Sequence, residues 1–98
     1  METPPFTPET VPIPNPQVVS RIAGDEAVLL HPLQGKVSVL NDVGATVWEL
    51  IDGHRSIRQI AILVSRQFDI DPHTAEADTL NFLAELAERG VVSMSSQQ

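Results

Sequence analysis

Residues 36–53 read KVSVLNDVGATVWELIDG, and inside this run the period of the apolar residues changes from that of a strand to that of a helix. Lys36–Leu40 alternates sides, with Val37 and Val39 on one and Ser38 and Leu40 on the other, as an extended strand does. From Asp42 to Leu50 the period becomes 3.6, and Gly44, Val47, Trp48 and Ile51 fall on one stripe. Asn41 or Asp42 supplies the short polar side chain that accepts from the free N–H groups of a first helical turn. Asp52-Gly53 ends the helix, because glycine takes the left-handed conformation after a last turn at little steric cost. A strand therefore runs into a helix with no room for a linker.

On the N-terminal side, Val18–Ile22 and Ala27–His31 are β-type runs separated by Ala23-Gly24-Asp25-Glu26, a turn composition. Pro32-Leu33-Gln34-Gly35 makes the next turn into Lys36–Leu40. Connections this short permit only antiparallel neighbours, so a three-stranded meander is expected, with its third strand at an edge. Toward the C-terminus, Ser56 and Gln59 have the spacing of a capping box, and Ile57, Ile60, Ala61, Val64 and Phe68 form the apolar stripe of a second helix. Asp71 as N-cap and Pro72 at the first helical position open a third helix that runs to Arg89 and stops at Gly90. Val91–Met94 remains for a short strand or strap. The expected class is α+β, winged helix-turn-helix-like, a three-stranded antiparallel sheet followed by three helices.

Six of the eight prolines lie in residues 1–16, METPPFTPETVPIPNP, which predicts a flexible tail with polyproline character. Phe6, Val11 and Ile13 are the residues of this segment able to dock elsewhere. The domain is expected over 17–94, with 95–98 a second flexible end. Within 98 residues this leaves roughly eighty to bury about 60 % of their unfolded surface, enough for a core but little for an enclosed active site. There is no cysteine, hence no disulfide or thiolate metal site. No apolar run approaches a bilayer span and no signal peptide is evident, so a cytoplasmic protein without membrane contact is expected.

The chain offers little catalytic chemistry. His31, His54 and His73 are scattered and no glycine-rich phosphate loop occurs, so no enzyme activity, metal or cofactor is expected. Six Lys and Arg stand against 13 Asp and Glu, a formal net charge of −7, which argues against a nucleic-acid partner. A winged-helix DNA-binding regulator is the alternative of another class, and its candidate face is Arg55, Arg58 and Arg66. At 100° per residue these fall within an arc of about 80° with Ile62 at its centre. The simplest reading of this face is a solvated surface with one exposed isoleucine; arginine around an apolar residue also suits docking of a partner protein, which ranks ahead of DNA contact. On the third helix Leu80, Leu83 and Ala87 mark a core stripe, while Ala75, Asp78, Phe82 and Leu86 extend the apolar character onto an adjoining face. That breadth fits either a wide core or a groove beside the helix; a groove bordered by the edge strand Lys36–Leu40 would accept an extended peptide as an added strand.

The ordered set Leu40-Asn41-Asp42-Val43-Gly44-Ala45, Val47-Trp48-Glu49-Leu50-Ile51-Asp52-Gly53, Arg55-Ser56-Ile57, Gln59-Ile60-Ala61 and Asp78 with Phe82-Leu83, Leu86 and Gly90-Val91 resembles the PqqD-like family, named for coenzyme PQQ synthesis protein D. The resemblance spans Val18 to Met94. It implies a non-catalytic domain that recognises the leader segment of a ribosomally made, post-translationally modified precursor peptide. The leader would lie between the third strand, at Val37, Ser38, Val39 and Leu40, and the third helix, at Ala75, Asp78, Thr79, Phe82 and Leu86. Within the family the free-standing form, the turn Ile70-Asp71-Pro72 and the Asp78…Phe82-Leu83 run look most like lasso-peptide leader-binding proteins. Those present a precursor to a leader peptidase and then a cyclase, and the implied partners are the leader and that peptidase or another modifying enzyme. Delivery of a precursor to a radical SAM enzyme, as in the PQQ pathway, is the alternative.

Overall fold

The computed structural model describes residues 7–95. Its elements, in chain order, are β1 (Val11–Pro14), β2 (Val19–Ala23), β3 (Glu26–His31), β4 (Lys36–Leu40), α1 (Asp42–Leu50), α2 (Ile57–Phe68), α3 (Pro72–Glu88) and β5 (Val92–Ser95). The expected meander is present as an antiparallel sheet of order β2-β3-β4, in register Leu29 with Ser38 and Ala27 with Leu40. β4 is thus an edge strand, and so is β2. Gly35, at φ +63, closes the loop from β3 to β4, donating its N–H to the His31 carbonyl at 2.9 Å.

Each helix begins as its residue types dictate. Asn41 Oδ1 accepts from Gly44 N at 2.9 Å, which makes Asn41 rather than Asp42 the cap of α1. Ser56 and Gln59 form both halves of the capping box on α2, and Asp71 accepts from Thr74 N ahead of Pro72. Between α2 and α3 the chain turns through Asp69, whose φ of 56° and ψ of 48° are left-handed. Buried Ser65 holds that turn, donating its hydroxyl to the Ile70 carbonyl at 2.8 Å while its own carbonyl accepts from Ile70 N.

The core lies between the inner face of the sheet and the helices, with Leu29, Val47, Ile57, Ile60, Leu83 and Leu86 at its centre. On α3 the buried stripe is Ala75, Thr79, Leu83 and Leu86, not the expected Leu80, Leu83 and Ala87. Leu80 and Ala87 sit half-buried at its margin, because α2 packs on α3 from one side and the terminal ribbon closes the other. Trp48 is likewise half-buried against the core rather than at its centre.

The N-terminal segment departs most from expectation. Residues 7–16 are not a free tail: β1 pairs antiparallel with β5, Val11 opposite Ser95 and Pro14 opposite Val92, in a separate two-stranded ribbon. Proline is compatible with this ribbon because Pro12 and Pro14 are two residues apart, so both missing donors fall along the same edge of the strand. The segment also meets donors that α2 leaves free. Ile57 N donates to the Thr10 carbonyl and Arg58 N to the Pro8 carbonyl, each at 2.9 Å. Pro12 is fully buried and Thr10 is buried. Asn15 ends the strap, its Nδ2 donating to the Gly90 carbonyl at 2.8 Å. The domain begins by Thr7 instead of Gln17, and Ser95 belongs to β5. Phe6 and residues 96–98, expected among the flexible ends, lie outside the described residues.

Candidate functional site

Because α1 starts two residues after β4 ends, its first turn sits beside the sheet edge, and α3 crosses next to both. The three elements enclose a groove of about 380 Å³. Its floor is apolar and buried, from Leu40, Val47, Val64 and Ala75, with the β-branched Thr79 beside them. The rim carries Val39, Asn41 and Val43 on one side and Asp78 and Phe82 on the other. Ile70 reaches the groove because the left-handed turn at Asp69 folds it back onto α2.

Gly44 sets the width of this groove. A Cβ built at that position would lie 3.1 Å from Phe82 Cζ and 3.3 Å from Leu40 Cβ, so the absence of a side chain lets the Phe82 ring approach the α1 backbone. Phe82 is half-buried, with one part of the ring on the core and another on the opening.

Of the residues expected to bind peptide, Val39, Leu40, Ala75, Asp78, Thr79 and Phe82 line the groove together. Leu86 does not: at 1 % exposure it belongs to the core, a full turn beyond Phe82. Val37 and Ser38 also stand off the groove. Ser38 points inward, and its Oγ accepts from Arg89 Nη1 at 3.0 Å. Val37 is 60 % exposed on the opposite face, where it stands in register with Leu30 and Val19 to form an apolar outer surface of the sheet. Asn41, Val43, Gly44, Val47, Val64 and Ile70 also line the groove and were not expected there. The direct passage from β4 into α1 was the signal for the first three, since a helix that begins at a strand's end must border whatever adds to that strand.

The arginine face is largely occupied. Arg55 precedes α2 and turns back, donating to the Leu50 carbonyl at 3.1 Å and to Asp52 Oδ2 at 3.3 Å. The backbone N–H groups of Arg55 and His54 both point at Asp52, and hold its carboxyl below the usual carboxylate range. Arg58 pairs with Glu9 of the N-terminal strap and, at 3.6 Å, with Glu76 of α3. Ile62 remains exposed beside Arg58, Pro72 and His73 in a shallow depression, and Arg66 is exposed. The free cationic surface expected from the sequence is therefore reduced by folding. Among the described residues no group of three or more His, Asp or Glu is placed to hold a metal ion, and no helix is long and apolar enough to cross a membrane.

The family model described as coenzyme PQQ synthesis protein D matches residues 26–92. The chain is 40 % identical over 53 residues to the bifunctional coenzyme PQQ synthesis protein C/D of Methylorubrum extorquens, a match over 54 % of this chain that spans 14 % of that protein's length. It is 33 % identical over 72 residues to the PqqA binding protein of Xanthomonas oryzae, covering 74 % of this chain and 76 % of that one. Among solved structures, TbiB1 in complex with the TbiA(beta) leader peptide superposes with a TM-score of 0.78 at 28 % identity, over 87 % of this chain and 99 % of TbiB1. The solution structure of the PqqD portion of Methylobacterium extorquens PqqCD, described as a stand-alone recognition element for ribosomally synthesized and post-translationally modified peptides, gives 0.77 at 34 % identity, over 95 % and 99 %.

Proposed function

The chain belongs to the coenzyme PQQ synthesis protein D family, and from that premise we propose that it binds the leader segment of a ribosomally made precursor peptide and presents it to a processing enzyme. One observation carries the reading: β4 has an open edge, and that edge borders an apolar groove against α3. An extended peptide satisfies both at once, its backbone completing the ladder and its side chains entering the groove. Two relatives support it, one named as a PqqA binding protein and the other solved with a leader peptide.

Three to five interstrand hydrogen bonds at about 0.5–1.5 kcal/mol each hold the leader's backbone. Two or three apolar anchors at roughly 1.5–3 kcal/mol apiece set the choice of sequence. After ordering costs this corresponds to micromolar to nanomolar binding as an order of magnitude. The bound precursor gains effective concentration at the enzyme, with no bond made or broken by this chain. The enzyme served is a leader peptidase followed by a cyclase, as in lasso-peptide pathways. The Ile70 turn and the Asp78…Phe82 run, which carry that resemblance, border the groove itself. Delivery to a radical SAM enzyme is the second reading, favoured by the 40 % and 33 % identity to PQQ-pathway proteins.

The test is fluorescence anisotropy with a labelled leader from a short precursor gene adjacent to this one, beside a labelled DNA duplex at two salt concentrations. Saturable leader binding with DNA ignored is expected. Salt-sensitive binding of DNA in place of the leader would overturn the proposal.

A further inference from the structure

Lys and Arg are scarce in this chain and unevenly paired. Among the described residues Arg55 and Arg58 meet carboxylates, whereas no carboxylate lies within 4.0 Å of the charged nitrogens of Arg21, Lys36, Arg66 or Arg89. Of these, Lys36 and Arg89 stand at the β4 edge, which pairs with no further strand among the described residues. Lys36 is the first residue of β4, and Arg89, at the end of α3, is tied across the fold to Ser38 on the same strand by its 3.0 Å hydrogen bond. Alternation places Lys36, Ser38 and Leu40 on one face, and Leu40 floors the groove. Along this face the edge therefore passes from a cationic end to an apolar one. Asp78 stands on the far rim, about 16 Å back along the helix axis from Arg89 at the usual rise per residue.

We propose that the Lys36–Arg89 end of the β4 edge is a subsite for an acidic side chain of the bound peptide, two or four residues from the apolar residue that enters the groove. The proposal rests on strand addition at β4. A residue whose side chain enters the groove lies opposite Leu40. Its same-face neighbours lie opposite Ser38 and Lys36, about 7 and 13 Å away at the usual strand rise. A carboxylate at either place faces Lys36 and the guanidinium of Arg89, which Ser38 holds in position. At an odd spacing it faces the apolar outer surface of exposed Val37 and Leu30. Elsewhere the charge of −7 disfavours a carboxylate, and Asp78 disfavours it on the other side of the anchor. Acid is thus accepted at one end only, which fixes peptide direction as well as composition.

Selection of random twelve-residue peptides displayed on phage, with the full-length chain as bait, tests this. The expected winners share an apolar anchor and an Asp or Glu two or four positions from it. A fluorescein-labelled winner should bind Lys36→Gln/Arg89→Gln about five- to tenfold more weakly, consistent with two partly exposed ion pairs. Its Glu→Gln version should bind wild type and double variant equally. Arg89→Lys, which keeps the charge, should recover most of the loss, and Glu→Gln in the peptide against wild type gives the same answer should the double variant fold poorly. Winners with an anchor but no acid, or with acid at odd spacing, would overturn the subsite while leaving peptide binding intact. Selection that enriches no peptide would sink the strand-addition reading and the subsite together.

Discussion

Phe82 and Leu86 lie one turn apart on α3, yet only one of them borders the groove. Leu86 is enclosed by the core, so Leu86→Ala is expected to cost about 2–5 kcal/mol of stability, read as a lowered melting temperature. Phe82→Ala should act in the other currency, weakening leader binding at least tenfold in anisotropy titrations while the melting temperature falls less than for Leu86→Ala. A large stability loss with unchanged affinity would place the ring in the core alone. Gly44 offers the complementary test. Alanine there gains helix propensity of roughly 0.5–1 kcal/mol, but its Cβ meets Phe82 Cζ at 3.1 Å. The ring has open space to move into, so Gly44→Ala should leave stability within about 1 kcal/mol of wild type and weaken the leader, because Phe82 then fills part of the groove.

At the scale of elements, the N-terminal strap is the piece whose role changes most. Its proline count argues for a tail, since composition weighs missing donors without regard to where they point. Pairing with β5 makes Pro12 and Pro14 harmless, and that partner lies some eighty residues away in sequence, beyond the reach of any local pattern. Removing residues 1–14 takes away the ribbon, the acceptors for Ile57 N and Arg58 N, and the Glu9 partner of Arg58. A melting temperature lowered by more than about 10 °C is expected, the equivalent of roughly 2 kcal/mol in a domain of this size. Thermal denaturation unchanged by the truncation would show that the strap adds nothing to stability.

Over the whole molecule, the elements with strong local signals were legible. The boundaries of β4 and α1, the capping box at Ser56 and the Asp71-Pro72 start of α3 all stand where residue chemistry puts them. So does much of the groove, because alternation on an edge strand and breadth on a helix are both visible in one dimension. What was hidden depends on distance. The phase of the buried stripe on α3 is set by α2 and the terminal ribbon, and the pairing of Arg58 with Glu9 joins residues that only the fold brings together. The apolar outer face of the sheet, Val19 with Leu30 and Val37, appears only once the register is known. It leaves β2 and β4 as two open edges, of which only β4 borders the groove.

That asymmetry gives the most direct measurement: amide hydrogen exchange of the full chain, residue by residue, with and without saturating leader. Strand addition at β4 should slow exchange at alternate residues of Lys36–Leu40, those whose N–H groups point away from β3, and leave Val19–Ala23 unchanged. Protection gained along β2, or at no strand while the leader is bound, would contradict recognition at the β4 edge.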